Sequence, residues 1–157
     1  MSRFRNSPSN MGSKLRVQFE DPQHGWMAMS IRSDAGVVTL TISNVAYDTL
    51  DELIDGLHAL TTGDCYRAVR IMEEPTVCEL RFRCESGAIG LKVCRLSLRD
   101  HGQTLFETDG SFSEVCVPFW RALRNLQSRF SAEEFRLRWG RPFPLSGMEK
   151  LSANLGR

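Results

Sequence analysis

The chain has no run near the roughly 18 consecutive apolar residues that a membrane-spanning helix needs, so a membrane is not among its expected partners. It also lacks a charge excess. Its 20 Lys and Arg stand against 19 Asp and Glu, and a balance of that kind gives no long-range field toward a polyanion. There is no G-x-G-x-x-G or P-loop pattern, which removes the main support for a nucleotide-binding fold. No C-x-x-C pair occurs, and none of the three histidines stands at zinc-finger spacing from a cysteine, so no metal or other cofactor is expected. The opening "MSRFRNSPSNMGSK" has basic residues but no apolar stretch behind them, unlike a secretory signal. Its internal "MGSK" would need Ser or Thr where Arg16 stands to serve as a myristoylation signal.

What is present fits one domain. A chain of 157 residues can bury a core without covalent staples. Residues 1–14 read as a disordered polar lead, with Met11 as an alternative start, and residues 15–157 as a single domain. The five cysteines, Cys65, Cys78, Cys84, Cys94 and Cys116, are odd in number. They read as free thiols of a reducing compartment, hence a cytoplasmic protein.

Two meanders are visible in the hydrophobic pattern. "LRVQFE", "WMAMSI" and "VVTLTIS" alternate apolar and polar residues and are separated by the turn signals "DPQHG" and "SDAG". "YDTLDELIDGLHALTTG" follows as a helix. Its Leu50, Leu53, Ile54, Leu57 and Leu60 make one stripe, Thr49 and Glu52 a capping box, and Gly63 the stop. Then "AVRIMEE", "TVCELRFRC", "AIGLKVCRLSL" and "QTLFET" read as four more strands. "VPFWRALRNLQSRF", "SAEEFRLRW" and "SGMEKLSANL" read as helices, the last two with capping boxes Ser131–Glu134 and Ser146–Glu149. The expected class is α+β, with the order βββα-ββββαα. Two antiparallel meanders form one large sheet with helices packed on one face. No residue-level repeat links the two halves.

The stretch "CELRFRCESGAIGLKVC" holds three of the five cysteines. A two-residue turn at Ser86-Gly87 sets its register. Cys84 then pairs with Ile89, Phe82 with Leu91 and Leu80 with Val93, all on one apolar face. Cys78 and Cys84 lie about 20 Å apart along one strand, at the usual rise per residue. Cys94 points to the opposite face. The cysteines therefore act as small hydrophobes, unless a β-bulge near Gly90 shifts the parity. On the other face Arg81 stands opposite Lys92 with Arg83 on the diagonal, while Arg70 meets Glu79. Arg81, Arg83 and Lys92 thus form a basic patch with little local compensation, suited to an acidic protein partner.

Other candidates are weaker. The turn "EDPQHGW" gathers Glu20, Asp21, His24 and Trp26 and offers a small-ligand or enzymatic site at His24 and Trp26. Asp55 and His58 are spaced i, i+3 on the first helix, as an oriented base would be, but no nucleophile accompanies them. The C-terminal helices interleave Arg121, Arg124, Arg129, Arg136, Arg138 and Arg141 with aromatic residues, as single-strand binders do. The near-zero net charge weighs against nucleic acid. Acidic residues from Asp48 to Glu74 suggest a first helix that faces these arginines or a partner. The reading is a non-catalytic protein-binding module, immunity- or adaptor-like.

Overall fold

Alternation and turn chemistry build the strands. In the computed structural model, residues 14–45, 48–73, 76–97 and 102–155 are described. The expected disordered lead, Lys14 apart, and Glu74 lie outside them. β1 (Arg16–Phe19), β2 (Trp26–Ser33) and β3 (Gly36–Ser43) form an antiparallel ladder in that order. α1 (Thr49–Thr61) leads into β4 (Tyr66–Met72), β5 (Val77–Glu85), β6 (Ala88–Leu96) and β7 (Gln103–Gly110), a second antiparallel ladder, again in sequence order. α2 (Phe112–Val115), α3 (Val117–Arg129), α4 (Ala132–Trp139) and α5 (Leu145–Leu155) close the chain. The α+β class and the two meanders are as the pattern predicts.

The single large sheet expected from the sequence is instead two sheets, of three and four strands. The crossover through α1 brings the end of β3 beside the end of β4 without a ladder between them. Side chains make the connection: the Thr41 amide donates to Glu73 Oε2 at 2.9 Å, and Ser43 Oγ donates to the Met72 carbonyl at 3.4 Å. A carboxylate thus satisfies an edge amide that a neighbouring strand would otherwise take.

The apolar faces of both sheets share one core. Phe19, Met29, Ile31, Leu40 and Ile42 come from the first sheet, and Val69, Leu80, Phe82, Leu91 and Val93 from the second. The helices pack on this side. α1 approaches β4 closely at Gly56, where an added Cβ would lie 3.0 Å from Val69 Cγ2. α3 reaches the sheet through Phe119, whose ring meets Phe82 edge-on at 5.5 Å. The opposite face of β4–β7 is left to solvent.

Helix starts differ from the sequence reading in two places. Asp48, not Thr49, caps α1: its Oδ1 accepts the Leu50 amide at 3.0 Å. Thr49 turns away and donates to the Ser43 carbonyl at 2.8 Å. α5 begins at Leu145, with the Met148 amide on the Pro144 carbonyl at 3.0 Å, so Ser146 sits inside its first turn. Ser131 caps α4 as expected, through the Glu134 amide at 3.1 Å. α2 was not anticipated; a capping box between Ser111 and Glu114 starts it.

Asp48 also ties the two ends of the fold together. The same Oδ1 accepts Trp139 Nε1–H from α4 at 3.1 Å. Burial pushes the Asp48 carboxyl above its ordinary range, although the Trp139 and Leu50 hydrogen bonds pull the other way. An acid whose folded pKa is raised stabilises the fold below its unfolded pKa. That contribution disappears as pH rises through the folded value. Asp48→Asn keeps an acceptor oxygen and does not titrate. Urea unfolding of both proteins from pH 7 down to pH 4 is expected to show the wild type gaining stability relative to the variant as pH falls. A constant difference would remove Asp48 as the source.

Candidate functional site

The solvent face of β4–β7 is a grid set by register. One cross-strand row is Tyr66, Arg83, Gly90, Asp109; the next is Ala68, Arg81, Lys92, Glu107; the third is Arg70, Glu79, Cys94, Thr104. Every pairing anticipated for the β5–β6 hairpin is present, including Arg81 opposite Lys92 and Cys84 opposite Ile89. Ser86 and Gly87 at the turn take φ of 51° and 83°, both left-handed, the conformation that two-residue hairpins favour. The bulge lies between Val93 and Cys94 against β7, beyond the hairpin's own pairing, so the parity of the three cysteines is kept.

The structure brings Arg81, Arg83 and Lys92 together but supplies more negative charge than the hairpin alone suggests. Arg81 leans along its own strand to Glu79, with Nε 2.9 Å from Oε1. That hydrogen bond is the first reason its guanidinium titrates above its ordinary value. Arg70 shares the same carboxylate at 3.8 Å. Lys92 reaches across to Glu107 of β7 at 3.9 Å. Arg81 and Lys92 therefore bend apart, which relieves the like-charge contact. The expectation of little local compensation fails because it considered one hairpin only. β7 adds Glu107 and Asp109 to the face, and the alternation in "TLFETDG" was the available signal for them.

Arg83 is different. Its guanidinium lies over the Tyr66 ring, 5.1 Å from the centroid, and it forms no ion pair among the described residues. Its neighbour across the ladder is Gly90, which leaves bare strand backbone. A Cβ built there would meet only the Arg83 carbonyl oxygen, at 3.8 Å. The result is a concave surface of about 900 Å³ lined by Tyr66, Arg81, Arg83, Glu85, Lys92, Glu107 and Asp109 around that gap. A stacked guanidinium beside a gap can present its edge to a carboxylate in bidentate fashion.

His24 and Trp26 lie elsewhere. His24 and Gly25 form a tight left-handed turn, φ 54° and 81°, closed by reciprocal Gln23–Trp26 backbone bonds of 2.9 Å. The turn is docked onto the C-terminus of α4, where the Gly25 amide donates to the Arg138 carbonyl at 3.0 Å. Arg129 donates to the Phe19 carbonyl at 2.8 Å and meets Asp21 at 3.3 Å; Arg138 reaches the Pro22 carbonyl at 3.4 Å. Two of the C-terminal arginines thus clamp this loop, and a third, Arg124, stacks on Trp120 at 5.1 Å. α1 does not face the arginine-rich helices with its acidic side. Asp51, Glu52 and Asp55 are exposed, His58 is half-buried, and among the described residues of this segment Asp48 is the acid that hydrogen-bonds α4.

Among the described residues no three His, Cys, Asp or Glu side chains stand close enough to hold a metal ion, and no helix is long and apolar enough to cross a membrane. None of the protein-family models, curated proteins or solved structures compared with the chain matches it.

Proposed function

We propose that the protein is a non-catalytic binding module of a reducing, cytoplasmic compartment, and that it docks an acidic segment of a partner protein on the outer face of β4–β7. The observation that carries this reading is Arg83: a cation stacked on Tyr66, without a carboxylate of its own among the described residues, beside the gap at Gly90. Arg83 selects the occupant, since the three cations lining the cleft are matched in number by Glu85, Glu107 and Asp109. Arg70, Arg81 and Lys92 are already shared with Glu79 and Glu107, so Arg83 is the position at which an incoming carboxylate adds a new ion pair. The five free thiols support the reducing compartment.

The test is a photo-crosslinking residue at Ala68, on the edge strand of the face beside Arg81, compared with one at Thr39, exposed on the other sheet. In source cells the Ala68 position is expected to capture a specific protein that Thr39 does not. With that protein purified, Arg83→Glu should weaken binding at least tenfold and raised salt should weaken the wild-type complex. Gly90→Leu, whose Cβ has room and whose side chain projects into the gap, should do the same with stability unchanged. Equal capture at both positions, or binding indifferent to Arg83→Glu and Gly90→Leu, would overturn the proposal.

A further inference from the structure

Two of the cysteines that look remote in the sequence meet at one end of the four-stranded sheet. β4 and β5 pair with Tyr66 opposite Arg83, so the next position beyond the ladder sets Cys65 opposite Cys84. The Cys84 amide donates to the Cys65 carbonyl at 2.8 Å, which continues the pairing through both residues. Their thiols converge on the same turn after α1: Cys65 Sγ is 3.9 Å from the Gly63 carbonyl and Cys84 Sγ is 3.5 Å from the Asp64 carbonyl. Directly opposed, hydrogen-bonded residues of an antiparallel pair have Cα atoms about 5.5 Å apart. A disulfide spans about 4.4–6.8 Å between Cα atoms. Cys78, Cys94 and Cys116 are buried, Cys116 within electrostatic reach of Cys84, whereas Cys65 is exposed and Cys84 partly so.

We propose that Cys65 and Cys84 are a reversible dithiol–disulfide pair, oxidised by a low-molecular-weight disulfide of the glutathione class. Cys65 is the attacking residue because it is the accessible one. Its thiolate attacks one sulfur of the small disulfide, forms a mixed disulfide and expels one small thiolate. The Cys84 thiolate then attacks the Cys65 sulfur, forms the cross-strand bond and expels the second small thiolate. Two electrons pass from the protein pair to the small disulfide, and the two protein protons go to solvent or to the released thiolates. Reduced small thiol reverses both steps. Burial and the neighbouring Cys65 hold the Cys84 thiol above its ordinary range, which suits a resolving residue rather than the first attacker. Cys78 and Cys116, pushed up to about 12 mainly by burial, stay out of the exchange.

The experiment equilibrates the full chain in glutathione buffers of varied oxidised-to-reduced ratio, quenches with an alkylating agent and maps the peptides. Trypsin cuts after Arg67 and Arg83, so the two cysteines leave on separate peptides unless they are linked. The expected product under oxidising ratios is a linked Cys65–Cys84 peptide pair, lighter by two hydrogens, that disappears on return to reduced glutathione. Cys65→Ser and Cys84→Ser should each abolish it, and Cys94→Ser should leave it intact. A Cys65–glutathione adduct that persists while Cys84 stays alkylatable, a bond between two molecules, or a bond from Cys84 to Cys116 would each overturn the assignment.

Discussion

Replacing Trp139 by alanine is expected to lower the unfolding free energy by about 3–5 kcal/mol, the usual range for deleting a buried aromatic side chain. Trp139 is fully buried at the end of α4. Its ring lies 6.5 Å from that of Phe135, which in turn meets Phe143 edge-on at 5.3 Å. Deleting the indole opens a cavity in this aromatic group and removes the donor at 3.1 Å from Asp48, leaving the carboxylate with the α1 amides alone. Small domains are stable by only about 5–15 kcal/mol, so the loss is a large share of the total. Trp139→Phe separates the two contributions, since it keeps most of the ring and loses the N–H. Urea unfolding should place it between wild type and alanine, and a double-mutant cycle with Asp48→Ala should show coupling. Additive effects in that cycle would mean that the hydrogen bond contributes nothing beyond packing.

Gly140→Ala is expected to cost about 2–4 kcal/mol, from left-handed strain of about 1–2 kcal/mol and a lost hydrogen bond of about 1 kcal/mol or more. Gly140 ends α4 at φ 94°, with its amide on the Arg136 carbonyl at 2.8 Å. A Cβ there would collide with Asn44 Nδ2, the group that donates to the Trp139 carbonyl. Gly63 supplies the control. It follows α1 at φ 111° with nothing within 4 Å of an added Cβ, so Gly63→Ala carries the strain without the collision. Thermal or urea unfolding should show Gly140→Ala as clearly the more damaging of the two. Equal losses would show that Asn44 moves aside at no cost.

Local chemistry made much of the fold readable. Alternation in "WMAMSI" and "VVTLTIS", and the Ser86-Gly87 turn, fix both face and register, because a one-residue slip would bury arginines. The same logic places Arg81, Arg83 and Lys92 on one face. What escaped depends on contacts distant in sequence. Thr49 and Glu52 imitate a capping box, yet Asp48 is the cap because Trp139, far along the chain, holds it in place. The divided sheet depends on how α1 returns the chain. Tyr66 under Arg83, Asp109 beside Gly90 and the meeting of Cys65 with Cys84 all require the β4–β5 and β6–β7 pairings, not the central hairpin alone.

The turn at His24-Gly25 sits early in the chain, but its supports do not. The bonds from Arg129 to Phe19 and from Arg138 to Pro22 span 110 and 116 residues, and those from Asn44 and Asp48 to Trp139 span 95 and 91. During synthesis the first meander therefore emerges with its turn, Asn44 and Asp48 all lacking these distant partners, and must wait for the last quarter of the chain. Contacts of such separation are slow to form because long loops must close first. In this protein the final helices complete the beginning, and until they arrive the three-stranded sheet is an unfinished edge exposed to whatever else the cell offers.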